Sequence, residues 1–370
     1  MTKPVLLTVS GMIPADIHQQ IAEGRRPRAD YLELARGLDA DLIDYSVAHA
    51  SAGNLGKVLQ RIGGANLLLA YACWKCRRRY RAIVTDGEQV GLPLAALLKL
   101  TPGAGPRHLM IVHIISVAKK LPFLDWLRVH SHIDRFIVYS RWQKRFIEER
   151  WNIASGRVIW TPFMVDHKFF APSQVTAQPT ARPQICAVGL ERRDYPTLMR
   201  AVEGLDVDVV IAAASPWSKY NDSTSGQRIP DNVSVKKFSQ YDLRQLYADS
   251  RFLVMPLEAV DFQAGVTAIL EAMAMAKPVI CTRAPGQTDV IVENKNGRYV
   301  AGGDPASLRQ AIVRLLEQPE DISRLGSGGR ELVERDMNLD RYVDGLAKVT
   351  REVIDEIDAQ ARAERLAGTQ

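Results

Sequence analysis

The chain has 370 residues, 46% of them hydrophobic and 24% charged. That is more than one hydrophobic core usually organises, which predicts two globular domains and excludes a disordered or fibrous chain. No apolar run reaches the roughly 20 residues of a membrane span, and the MTKPVLLTVSG start lacks a signal-cleavage pattern, so the cytoplasm is the expected compartment.

Charge is uneven. Residues 1–170 carry 24 Lys and Arg against 14 Asp and Glu, a net of +10, whereas the rest of the chain has a net of −4. The basic excess gathers at 23–28, at 75–81, at Lys119 with Lys120, and at 141–150. Such clusters are either solvated helix faces or surfaces that attract phosphate on an anionic membrane or an acceptor. Nucleic acid is not an expected partner, since no recognition module accompanies the charge.

Taken in chain order, PVLLTVS, ADLIDYS, AIVTD, HLMIVHI, RFIVYS and RVIWTP read as short buried strands with amphipathic stretches between them. Cys73 and Cys76, in CWKCRRRYR, form one CxxC with no second pair and no nearby His, and are expected to be ordinary thiols on a helix rather than zinc ligands. Residues 171–184, poor in charge and rich in proline, read as a linker. The alternation then resumes with QICAVG, DVDVVIAA, NVSVKKF, RFLVMPL and KPVICT. Short apolar strands alternating with helices imply parallel sheets covered on both faces. The expected domains are 1–170 and 185–345, followed by a C-terminal helix over 346–370, with a cleft between the two lobes.

Within the second half, Ala264 to Ala276 is almost wholly apolar yet contains Glu271. An unpaired buried carboxylate costs several kcal/mol, so this one needs water, a shifted pKa or a ligand. It follows the strand RFLVMPL and the loop EAVDFQAG, the end of a parallel strand where ligands bind. Ala264 and Gly265 allow close backbone approach, and the N–H groups of Val266 and Thr267 open a helix suited to a diphosphate. Glu271 then stands near where a ribose would present two hydroxyls.

The segment DFQAGVTAILEAMAMAKPVICTRAPGQTDVIVENKNGRYVAGGD resembles the donor-binding half of family 4 glycosyltransferases. DRFIVYSRWQKRFI, VDHKFFAP and AVGLERRDYPTLMRAV extend the likeness over roughly residues 105–320. The resemblance implies the α/β GT-B fold, two Rossmann-like doubly wound parallel-sheet domains, and sugar transfer from a nucleotide-sugar donor with retained configuration and no metal cofactor. It matches Glu271 to the family's ribose-binding glutamate. Gln263 stands where a sugar-contacting glutamate is usual, and Gln adds no negative charge beside an oxocarbenium ion. Glu258 and Asp261 lie on the same loop as further acidic residues. Arg193 matches the lysine of the family's phosphate-binding pair, while Leu190 occupies the arginine position and Arg192 stands next door. His113 matches a histidine near the donor sugar, Gly11 a glycine loop facing the diphosphate, and Phe238 and Ser239 the segment that holds the base. Glu88, Lys119 and Lys120 are candidates on the acceptor side.

The expected function is therefore a retaining hexosyltransferase, with a UDP-sugar favoured over GDP-mannose as donor. The acceptor is expected to be a glycan, a lipid or a lipid-linked glycan, at an anionic membrane face. A GT-B nucleotide-sugar epimerase and a weakly active sugar-nucleotide-binding homologue are the alternatives, the latter because of Gln263.

Overall fold

The computed structural model describes residues 3–103, 105–213 and 228–367. The chain divides into two compact units, residues 1–17, 29–161 and 342–370 forming one and residues 18–28 and 162–341 the other. The chain passes into the second unit between Thr161 and Pro162, ahead of the 171–184 segment, and returns to the first at Tyr342.

In the first unit the elements run β1 (Val5–Thr8), α1 (Ile17–Ala22, its first residue only), α2 (Asp30–Gly37), β2 (Ala40–Ile43), α3 (Tyr45–Ala50), α4 (Gly53–Cys76), β3 (Ala82–Thr85), α5 (Glu88–Lys99), β4 (Arg107–Val112), α6 (Leu121–Asp125), β5 (Arg135–Val138), α7 (Arg141–Trp151) and β6 (Val158–Trp160). All neighbours pair in parallel, in the order β2-β1-β3-β4-β5-β6. Neighbours β1 and β3 are therefore not consecutive, and the order reverses between them.

The second unit runs β7 (Gln184–Val188), α8 (Tyr195–Val202), β8 (Asp208–Ala212), β9 (Val233–Lys236), α9 (Gln240–Asp249), β10 (Leu253–Met255), α10 (Val266–Ala274), β11 (Val279–Thr282), β12 (Gly297–Val300), α11 (Pro305–Leu316) and α12 (Pro319–Arg335). Its order, again parallel throughout, is β12-β11-β10-β7-β8-β9, with the reversal between β7 and β10. The last helix, α13 (Leu339–Ala367), packs with the first unit from Tyr342 onward.

Side-chain alternation explains why both faces of the second sheet are covered. Cys186, Val188, Val210, Ala212, Leu253 and Met255 join one core with residues of α9 and α10, while Ile185, Ala187, Val209, Ile211 and Val254 join the other with α8 and α11. Each Val, Leu, Ile or Met among them contributes roughly 1.5–3 kcal/mol on burial. The strand β12, GRYV, lacks the apolar run that marks the others, because it pairs only with β11 and leaves Arg298 and Tyr299 half-buried. The two thiols of the CxxC end α4: Cys73 is buried in the core, Cys76 half-buried, and burial pushes both thiols up.

Candidate active site

Parallel sheets bind ligands beyond the carboxyl ends of strands that flank a reversal of strand order. In the second unit these are β7 and β10, and the loops after them are stitched together. Asp194 N–H donates to Pro256 O at 3.0 Å, Glu258 N–H to Arg192 O at 3.1 Å, and Arg193 bridges to Leu257. The Arg192 side chain reaches Glu258 at 3.1 Å, where both are about half exposed, so this ion pair contributes little by itself.

Arg193 is buried. Its guanidinium donates to Val188 O at 3.0 Å and to Glu191 O at 2.5 Å, carbonyls that orient the cation without adding formal negative charge. Burial pushes its pKa down, opposed by the neighbouring Tyr195, Cys281 and Glu191. The same group lies against Gly265, where an added Cβ would come 3.3 Å from Arg193 Nη2 and 2.7 Å from Met255 Sδ. Gly265 also has φ +76, so glycine is needed there for conformation and for space.

Gly265 is the N-cap of α10 and supplies no side chain to its first turn. By contrast, α8, α9 and α11 are capped by the side chains of Asp194, Ser239 and Asp304. A glycine cap beside a buried guanidinium leaves the opening N–H groups of α10, at Val266 and Thr267, aimed where an anion is favoured by the helix dipole.

Glu271 lies about one and a half turns into α10 and is 6% exposed. Its Oε2 accepts the hydroxyl of Tyr247, on α9, at 2.8 Å. Burial raises the carboxyl from 4.5 to about 7, against the opposing pull of that hydrogen bond. The carboxylate is thus held by a protein partner through one oxygen, and the shift remains.

Gln263 precedes this helix, and its buried Oε1 has no hydrogen-bond partner among the described residues. Gln287, fully buried, donates through Nε2 to Ala264 O at 2.8 Å and so fixes the 263–265 loop. Ser239 is committed to capping α9, its Oγ accepting Asp242 N–H at 3.1 Å, and Phe238 packs against the core. Both lie after β9, apart from the Arg193–Gly265–Glu271 group in sequence. Asp261 follows Glu258 on the loop and is half-buried.

In the first unit the reversal falls between β1 and β3. Asp86, after β3, accepts Thr8 Oγ1–H at 2.5 Å, Ser10 N–H at 2.5 Å and Ser10 Oγ–H at 2.8 Å. Burial raises its carboxyl, opposed by these donors. Gly11 follows, donating to Val9 O at 2.8 Å and accepting Tyr45 N–H at 3.0 Å. His113 Nε2 lies 2.8 Å from Asp86 O. A carbonyl only accepts, so Nε2 carries the proton.

Glu88, at the first position of α5, is buried and accepts His113 N–H at 2.9 Å, Ile114 N–H at 3.0 Å and the ammonium of Lys120. Burial alone would raise its carboxyl, but Lys120 and these donors hold it below the ordinary value. Lys120 also donates to Ile114 O at 2.5 Å. The structure therefore brings Glu88, His113 and Lys120 into one loop anchor, while Lys119 is exposed beside it. Among the described residues no group of three or more His, Cys, Asp and Glu could hold a metal ion.

Sequence reasoning did not single out Tyr247, Asp86 or Gln287. Asp86 had a signal, its place at the end of AIVT beside the reversal. Tyr247 and Gln287 had none, since their roles depend on packing across elements.

Residues 182–318, which include β7, α10 and all of the Arg193–Gly265–Glu271 group, match the family described as glycosyl transferases group 1. An uncharacterised glycosyltransferase of Methanocaldococcus jannaschii is 33% identical over 104 residues, 28% of each chain. The stretch shared with the curated relatives spans about a quarter of their length. Over nearly the whole chain the fold is similar to sucrose-phosphate synthase from Thermosynechococcus elongatus, with TM-score 0.73 and 16% identity over 96% of this chain and all of that one. It is also similar to the Anabaena protein HepE, solved in complex with UDP and glucose, with TM-score 0.65 and 13% identity over 95% of this chain and 99% of that one. The chain has the GT-B fold, two Rossmann-like parallel-sheet domains.

Proposed function

We propose that this protein is a retaining glycosyltransferase that moves a sugar from a nucleoside diphosphate sugar, UDP-linked by preference, to a hydroxyl of a glycan, lipid or lipid-linked acceptor. The carrying observation is the buried Arg193 guanidinium set against the Gly265 cap of α10, with Glu271 further along the same helix. In this reading the α10 N–H groups and Arg193 receive the diphosphate, and Glu271, held by Tyr247, accepts the ribose hydroxyls. Gln263 Oε1, an acceptor with no protein partner among the described residues, takes a sugar hydroxyl. The HepE complexes contain UDP and a glucose unit, which supports UDP as the base carrier here.

As the glycosidic bond breaks, negative charge grows on the departing diphosphate, and Arg193 stabilises it in a site where water is excluded. The acceptor hydroxyl attacks from the face the diphosphate leaves, and a phosphate oxygen takes its proton. The first unit is assigned to the acceptor, with Gly11 after β1 facing the diphosphate and His113 after β4 near the donor sugar. The enzyme then contributes position and charge stabilisation, with no covalent nucleophile.

The test is a calorimetric screen of UDP, GDP and their sugars, followed by product analysis with and without candidate acceptors. UDP binding with acceptor-dependent release of UDP is the expected result. Arg193→Ala should lower turnover about 100-fold or more, the scale of losing one preorganised donor. Epimerised donor formed without acceptor would overturn the transferase reading, and UDP-sugar binding without turnover would leave only a binding protein.

A further inference from the structure

The amino-terminal end of the first sheet, remote from the end that carries Asp86 and His113, holds a cavity of about 410 Å³. Arg77 and Arg78, from the turn that joins α4 to β3, line it together with Arg107, Ser131, His132 and Asp134. Arg107 is neutralised by Asp134 at 3.0 Å. Arg77 lies over the Trp74 ring at 4.4 Å and donates to Trp74 O at 2.8 Å, contacts that fix the guanidinium without cancelling its charge. Trp74 Nε1–H in turn donates to Thr101 Oγ1 at 2.7 Å, which ties the end of α4 to the end of α5.

Leu100 stands in the chain between two residues of that lining, Leu98 and Thr101. Lys99 donates to Leu127 O at 2.8 Å and Arg128 O at 3.3 Å, so the end of α5 and the turn after α6 share one edge. On that edge Leu100 is 82% exposed, Trp126 81% and Leu127 54%. Large apolar side chains are rarely left this bare in a group on a soluble surface. Indole and leucine beside arginine and lysine is the composition that partitions into the headgroup zone of a bilayer, where the ring sits at the interface and the cations meet phosphate. Guanidinium groups also match phosphate oxygens in geometry.

We propose that this edge of the first unit docks on an anionic phospholipid bilayer, with the Arg77–Arg78 cavity taking a lipid phosphate and Leu100, Trp126 and Leu127 entering the interface. The inference goes beyond the transferase reading above and is measured as binding, so its failure and the failure of the transferase assignment are separate results.

The test uses the full chain in flotation with vesicles of phosphatidylglycerol and phosphatidylcholine, or of phosphatidylcholine alone. Binding only to the anionic vesicles, weakening as salt rises, is expected. Each charge near the surface is worth about fivefold in partitioning, so R77S/R78S should lose about 25-fold. L100S/W126S should lose at least about tenfold, and W126F should abolish the vesicle-induced blue shift of tryptophan emission. Thermal melts establish that the variants fold, and R78E alone serves if R77S disturbs the Trp74 stack. Equal binding to neutral vesicles overturns the proposal, as does binding lost in I62S, at a position of α4 that is 76% exposed, but kept in L100S/W126S. Tight binding of free glycerol phosphate with no vesicle association would also overturn it, and would make the cavity a site for a soluble phosphate.

Discussion

Removal of the Glu271 carboxylate should separate a ligand role from a packing role. In Glu271→Ala the ribose hydroxyls lose a charged acceptor, and hydrogen bonds to charged groups contribute about 1.5–3 kcal/mol each, offset in part by water. UDP affinity should therefore fall by roughly 1–3 kcal/mol, or roughly 5- to 150-fold in Kd. Glu271→Gln isolates the charge. Burial raises the carboxyl from 4.5 in the unfolded chain to about 7 in the fold. Between those values the folded state binds more protons than the unfolded state, so stability falls as pH rises across that window, by at most about 3 kcal/mol, and is flat above it. The Gln variant should lose this slope and exceed the parent in stability above about pH 7. Affinity for UDP-glucose, whose diphosphate does not titrate there, should rise through about pH 7 in the parent and stay level in the Gln variant. Calorimetry and thermal unfolding measure both quantities. Unchanged UDP affinity in folded Glu271→Ala would refute the ribose assignment, and an unchanged stability slope in Glu271→Gln would refute the burial argument.

Gln263→Ala should impair binding of the intact UDP-sugar by about tenfold, the scale of one or two hydrogen bonds, while leaving UDP affinity intact. Equal losses for both ligands in calorimetry would remove Gln263 from the sugar. Lys120→Met leaves the buried Glu88 carboxylate without its cation, which should cost about 3–5 kcal/mol and lower Tm, with Glu88→Gln in the same chain restoring part of the loss. An unchanged Tm in Lys120→Met would show that the pair does not hold the loop.

Local chemistry made much of this protein legible in its sequence. Short β-branched and aliphatic runs such as QICAV and VICT, alternating with helical patterns, read as strands covered on both faces, so the two parallel sheets could be read from the sequence. The same reasoning marked Glu271 as a charge in need of a partner, and the fold gives it the Tyr247 hydroxyl. The strand order is a different matter. That β10 lies beside β7 depends on pairing between segments more than sixty residues apart, which no periodicity encodes, yet it is this reversal that puts Arg193 against Gly265. Tyr247 reaches Glu271 only because α9 and α10 pack into one core, and Glu88 meets Lys120 only where two loops close. The strand GRYV escaped notice because its identity comes from pairing with β11 and not from its own apolar content. Sequence determined which segments must be buried and which charges that burial would strain; the fold decided which of those charges stand together, because side-chain partners are chosen by packing in three dimensions.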